Sequence, residues 1–198
     1  MLNQTALYEY VKAHLSLSRF LHSLRTAETA MELCQRYEIS LEEAYVSGIA
    51  HDMAREIGDA QVMQLAKADS LPLLEEEVLR PVLLHGRAAA LLLQTSWGEN
   101  RQAVLNAVRW HTQGHPDMGN LGKVLYIADF IEPGRSHITE EFRTNILCVE
   151  SLDGMLKKIL EAQFVHLREK QIKISTYALQ LYNTIEKSTL EERLYAKN

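Results

Sequence analysis

The sequence holds little that breaks or cross-links a chain. Only 2 of its 198 residues are cysteine, Cys34 and Cys148. That is too few for a disulfide framework, and they lack the close spacing of a metal knuckle. Such usage fits a reducing, cytoplasmic setting. Proline occurs 4 times and glycine 9 times, a scarcity that excludes a turn-rich all-β chain and favours long helices. Long apolar runs are missing. The most apolar stretch, Ala88 to Leu93, lies between Arg87 and Gln94, far short of the roughly 20 residues that span a bilayer. Glu9, Lys12, His14 and Arg19 interrupt the N-terminal segment, so it does not read as a secretory signal. Positive charge is not in excess either. With 21 Lys and Arg against 26 Asp and Glu the formal charge is −5, which gives no general attraction to nucleic acid or to an anionic membrane.

What is present is ordinary globular material. Hydrophobic residues make up 46% and charged residues 24%, which excludes a disordered chain. No linker, repeat or low-complexity tract interrupts residues 1–198, so a single domain is expected. The apolar pattern is helical nearly throughout. Phe20, Leu24, Ala27, Met31 and Cys34 recur at spacings of three and four, one buried face of a helix over Leu17 to Tyr37. Ser40 and Glu43 read as a capping box opening a helix through Ala44, Ile49 and Met53, with Gly58 as its stop. Residues 61–69 and 75–94 continue the helical pattern, Pro72 and Pro81 marking turns or first-turn positions. Asn100 to His111 is the next helix, followed by a loop over residues 112–120 and an apolar helix from Leu121 to Ile131. Leu152 to Leu167 is strongly amphipathic, and Tyr177 to Ile185 is a last helix. The fold class is all-α.

Chemistry enters through histidines and carboxylates on apolar faces. His51-Asp52 follows the small apolar stretch Gly48-Ile49-Ala50. A buried carboxylate there needs a partner. Taken alone, the dipeptide reads more readily as a core histidine beside a helix-end aspartate. Asp129 is a lone carboxylate in Val124 to Ile131, with either a salt bridge or a shared cation as its explanation. His22 sits inside the first amphipathic helix. Together, in this order, His22, His51, Asp52 and Asp129 resemble the metal signature of HD domains. Two imidazoles and two carboxylates suit Fe, Mn, Zn or Co better than Mg or Ca, which prefer all-oxygen shells. His85 and His111 end apolar helical stretches. The resemblance to two-metal HD phosphohydrolases gives them the second ion, with Asp52 bridging the pair.

The match extends to a particular family. His111-Thr112-Gln113-Gly114, then Met118, Leu121, Lys123 and the run Tyr126 to Arg135, resemble the YqeK family of HD-domain proteins. His85-Gly86, Ile174 to Tyr177 and Tyr182-Asn183 fit the same family. The resemblance covers about residues 15–185. It implies an all-helical HD-domain bundle, of bacterial type, that cuts diadenosine tetraphosphate symmetrically into two ADP. It implies divalent metal, iron foremost and two ions, with Mn, Zn or Co as substitutes. The metal ligands would be His22, His51, Asp52, His85, His111 and Asp129, and the catalytic group His51, Asp52 and Arg55. Arg19, Asp52, Met53, Ala54, Arg55, His111, Thr112, Arg135, Ile172, Lys173, Ile174, Ser175, Thr176 and Tyr177 would line the substrate site. Arg55 stands where many HD proteins carry Lys. It keeps the charge but offers bidentate phosphate geometry.

The implied reaction is attack of a metal-activated hydroxide on an inner phosphate, with Arg19, Arg55 and Arg135 taking up charge on the phosphate oxygens. Partners are a dinucleoside polyphosphate or ADP, with neither a nucleic-acid polymer nor a membrane; relatives commonly pair, which allows a homodimer. Two rival readings stand beside this one: an HD phosphohydrolase acting on mononucleotides, and a nucleotide-sensing module without turnover. A cyclic-dinucleotide phosphodiesterase of the HD-GYP kind is disfavoured, since Gly114-His115-Pro116 is no GYP motif. Of the remaining residues, Trp97 and Trp110 are expected to pack rather than stack on bases. His115 is expected to face solvent in its polar loop. Glu75-Glu76-Glu77 reads as an exposed first turn, favourable near a helix N-terminus. His14, His137 and His166 have no partner pattern.

Overall fold

The computed structural model describes residues 2–195. Among these the chain is helical and holds no strand. The helices are α1 (Gln4–His14), α2 (Leu17–Arg36), α3 (Leu41–Ala50), α4 (Asp59–Ala68), α5 (Glu75–Leu79), α6 (His85–Trp97), α7 (Gln102–Trp110), α8 (Gly119–Ile131), α9 (Glu140–Leu147), α10 (Leu152–Glu169) and α11 (Thr176–Tyr195). No described helix is long and apolar enough to cross a membrane.

Helix α8 is the axis of the bundle. Leu121, Val124, Leu125, Tyr126, Ile127, Ala128 and Ile131 are all buried, because α2, α3, α7 and α10 pack around it. A helix apolar on every side needs such neighbours. Helices α2 and α3 lie against each other, as do α6 and α7. Each pair closes over a glycine. A Cβ on Gly48 would come within 2.4 Å of the Ala27 Cα, and one on Gly86 within 2.8 Å of the Val108 and Arg109 carbonyl oxygens. No other residue permits these approaches without moving backbone.

Local chemistry explains most boundaries. Ser40 Oγ accepts from the Glu43 N–H at 3.3 Å, one half of the expected capping box. The helix it opens stops at Ala50 rather than running through Met53. Beyond it the bonds Met53 N–H to Ala50 O and Arg55 N–H to Asp52 O span three residues, and the chain passes in tight turns through His51 and Asp52, both of which are buried. The expected helix over residues 75–94 is interrupted. Pro81 opens a 3₁₀ turn, Pro81–Leu84, and Arg80 before it has left the helical region (φ −136°, ψ 76°), which the following proline disfavours. The Gly114 and Gly119 backbones have φ of 75° and 68°, so the loop over residues 112–120 uses the left-handed region that glycine reaches without strain.

Candidate metal centre

Six side chains converge where α2, the ends of α3 and α7, the start of α6 and α8 meet. They are the six read from the sequence: His22, His51, Asp52, His85, His111 and Asp129. The four histidines and Asp52 are buried, while the Asp129 side chain keeps 22% of its surface and marks the open side. His22 Nε2 lies 3.2 Å from His51 Nε2 and 2.9 Å from Asp129 Oδ1. His85 Nε2 lies 3.0 Å from His111 Nε2 and 3.0 Å from Asp52 Oδ1. The other oxygen, Asp52 Oδ2, is 3.6 Å from His22 Nε2 and 3.5 Å from His51 Nε2. Asp52 thus presents one oxygen to each histidine pair.

Every ring is oriented from behind. The Nδ1 atoms of His51, His85 and His111 lie 2.7, 2.6 and 2.7 Å from the carbonyls of Gly48, Val82 and Val108, each three residues back. His22 Nδ1 instead meets the carboxylate Oε1 of Glu132 at 3.1 Å. These acceptors assign the proton to Nδ1 in each neutral ring. All four Nε2 lone pairs therefore face inward, in pairs about 3 Å apart, beside carboxylate oxygens. Such a set of acceptors without protons between them repels itself and fits a cation. The donor set, imidazole and carboxylate, is that of a transition ion.

Charge around the centre follows. Burial pushes the Asp52 carboxyl up, but His51, His111 and His85 outweigh it and hold it well below the carboxylate range. Burial likewise raises Asp129, and His22, Arg135 and His51 bring it down further than burial lifts it. Burial lowers the His85 pKa against the pull of Asp52, which keeps its lone pair free. Two guanidinium groups close the open side. Arg19 Nη1 donates to Asp52 Oδ2 at 2.8 Å. Arg135 donates from Nε to the Asp129 carbonyl at 2.8 Å and from Nη2 to Asp129 Oδ1.

From Asp129, His111 and Thr112 a cavity of about 640 Å³ runs outward. Its walls are Tyr126, Phe130, Ile138, Phe142 and Phe164, and its polar lining includes Arg80, Arg135, His137, His166, Lys173 and Ser175. Of the expected substrate residues, His111, Thr112, Arg135, Lys173 and Ser175 line this cavity. Met53 and Ala54 are instead packed in the apolar core. Arg55 is half-buried. Ile172 and Ile174 lie on the stretch leading to α11, Ile174 packed against the core. The Thr176 N–H donates to Glu76 Oε1 at 2.9 Å, and Tyr177 stands edge-on to Trp110, ring centres 5.1 Å apart.

Three expectations need correction or addition. Glu76 and Glu77 are buried, not an exposed turn. Glu77 Oε2 accepts from Arg87 Nη1 at 2.9 Å and Oε1 from Gln113 Nε2 at 2.8 Å; these partners offset the cost of burial. His115 is half-buried, stacked on Trp110 with ring centres 4.2 Å apart and planes 15° apart. Glu132 and Arg25 belong to the centre although neither was singled out. Arg25 stands three residues after His22 and Glu132 three after Asp129, so each shares a helical face with a ligand or nearly so. That spacing was the available signal.

A family profile described as "HD domain" matches residues 19–134, more than half of the chain. The chain belongs to the HD domain family. Within it, this HD protein is 34% identical over 128 residues to a symmetrical bis(5'-nucleosyl)-tetraphosphatase of Bacillus subtilis (strain 168), covering 64% of this chain and 67% of that one. A Staphylococcus aureus protein of the same name is 29% identical over 175 residues, covering 87% and 89% of the two chains. Among solved structures, a predicted HD superfamily hydrolase involved in NAD metabolism from Clostridium acetobutylicum superposes with a TM-score of 0.88 at 27% identity, over 95% of this chain and 99% of that one. The HD profile ends just before Arg135, so most of the cavity wall lies beyond it.

Proposed function

We propose that this HD protein is a metal-dependent hydrolase that cleaves diadenosine tetraphosphate symmetrically into two ADP. The observation that carries the reading is Asp52, with one oxygen turned to His22 and His51 and the other to His85 and His111. A carboxylate so placed would be able to serve two cations. The names of the relatives supply the substrate class. His22, His51, Asp52 and Asp129 would hold one cation, and His85, His111 and Asp52 the other. When bound, divalent cations supply Lewis acidity at phosphate oxygens and lower the pKa of water toward neutrality. The mixed nitrogen and oxygen donors suit Fe, Mn, Zn or Co, and iron is put first on the family resemblance.

The chain's own residues do the rest. Arg135, anchored by Nε to the Asp129 carbonyl, keeps Nη2 beside the centre, where it can take up charge on a phosphate oxygen. Arg19, released from Asp52, does the same from α2. Thr112 Oγ1, 3.2 Å from His85 Nε2, is placed to donate to a phosphate oxygen. The Phe130, Ile138 and Phe142 wall gives the nucleoside half an apolar bed, and Lys173 and Arg80 at the rim meet its phosphates. Arg55 is assigned a phosphate-binding role by its place three residues after Asp52. ADP leaves without needing a strong acid. The free thiols of Cys34 and Cys148 suit the reducing cytoplasm, and a homodimer is the assembly we expect.

Product analysis tests the reading. The protein, purified without chelator and supplied anaerobically with Fe²⁺ or Mn²⁺, is given diadenosine tetraphosphate, and the nucleotides are resolved by chromatography. ADP as sole product is the expected result. AMP with ATP would overturn the symmetric register, and no turnover with metal bound would overturn this substrate in favour of a mononucleotide hydrolase or a nucleotide sensor.

A further inference from the structure

The two groups of ligands are not equally built. On the first side stand four donors, His22, His51, Asp129 Oδ1 and Asp52 Oδ2; on the second, three, His85, His111 and Asp52 Oδ1. The imidazoles also differ in what lies behind them. His51, His85 and His111 rest on backbone carbonyls, but His22 rests on the carboxylate of Glu132. A carboxylate behind an imidazole raises its basicity toward a metal more than a carbonyl does. Glu132 is itself fixed: Arg25 Nε donates to its Oε2 at 2.5 Å, and so does the Gly134 N–H at 2.5 Å. Three residues on, Arg135 grips Asp129. One short loop, residues 132–135, therefore fixes two ligands of the first group, His22 and Asp129, and none of the second.

We infer that the two cation positions fill unequally: Glu132, acting through His22, makes the His22, His51, Asp52 and Asp129 position the tighter, first-filled one, and the His85, His111 and Asp52 position is filled second and exchanges more readily. Glu132 is on this account a positioning residue, touching the ligand and not the cation. The inference rests on the metal reading above.

Metal-free protein is titrated anaerobically with Mn²⁺ alone, free ion being read from its electron paramagnetic resonance. The unaltered chain is expected to show two classes of site, one cation in each. Glu132→Gln is expected to weaken the tighter class about 10–100-fold and leave the other unchanged. His85→Ala is expected to remove the weaker class and keep the tighter. Equal weakening of both classes by Glu132→Gln, no change in either, or loss of the tighter class in His85→Ala would each overturn the inference. An unaltered chain that binds no cation would instead overturn the metal reading on which it depends. Circular dichroism checks folding. Should Glu132→Gln not fold, Arg25→Gln at a partly exposed position serves, with a smaller weakening expected in the tighter class; weakening spread over both classes counts against the inference.

Discussion

Asp52 concentrates the chemistry of the centre in one side chain. It faces all four histidines and Arg19. Asp52→Ala would remove a donor from both of the proposed cation positions at once. Turnover should fall by about 10³-fold or more, beyond the cost of losing a single transition-state donor, and fewer cations should remain bound per chain by elemental analysis. Retained turnover would dismiss the site assignment. The six proposed ligands, which the structure brings together, were legible in the sequence only as a set, through their resemblance in this order to the HD signature; alone, each reads as an ordinary core or salt-bridged residue. Glu132 was not legible, since its effect runs entirely through His22, 110 residues away. Glu76 and Glu77 were misread for a similar reason. A run of acids looks like a solvated turn until its partners are known, and two of these, Gln113 and Thr176, are 36 and 100 residues distant.

At the scale of elements, buried charge ties α4, α5 and α6 together. Arg87, fully buried on α6, donates to Asp69 Oδ1 at 2.6 Å, Asp69 Oδ2 at 2.8 Å and Glu77 Oε2 at 2.9 Å. Arg87→Leu leaves two buried carboxylates without a counter-charge. A loss of about 3–5 kcal/mol is expected, read as a lowered urea midpoint. The start of α11 is pinned separately. Burial pushes the Glu76 carboxyl up, but the Thr176 N–H and hydroxyl outweigh it and hold it at about 2. Its folded pKa is thus below its unfolded value of about 4.3. The stabilisation is full above the unfolded value and is lost as pH falls through about 2. Glu76→Gln should flatten the fall in stability between those two pH values, measured by denaturant midpoints across that range. The main helices were readable from their spacing of apolar residues. Helix α9 was not, for only Ile146 of its length is fully buried, and one buried residue makes no period. The break at Arg80 and the early end of α3 depend on where Pro81 and His51 must point, which periodicity does not encode.

For the molecule as a whole, the centre exists only when α2, α3, α6, α7 and α8 are assembled. A cation that binds the folded chain and not the unfolded one adds stability by mass action, about 2.7 kcal/mol for each site at a hundredfold excess over its dissociation constant. For a chain of this length that corresponds to a rise in Tm of roughly 5–10 °C. Scanning calorimetry with Mn²⁺ and then with chelator should show the rise and its reversal. Whole-molecule shape was the least legible level in the sequence. The cavity walls Phe130, Phe142 and Phe164 come from three separate helices, and nothing in their local pattern announces that they share a space. Gly86 acts at this level too. With no side chain between α6 and the Val108 and Arg109 carbonyls, the backbone itself sets how far His85 stands from His111. A cation held by His85 and His111 would therefore meet a spacing that the backbone fixes, adding a constraint of ionic radius to the preference the imidazoles themselves impose. A methyl group inserted as Gly86→Ala should wedge the helices and tilt preference from Zn²⁺ toward the larger Mn²⁺ in a direct competition.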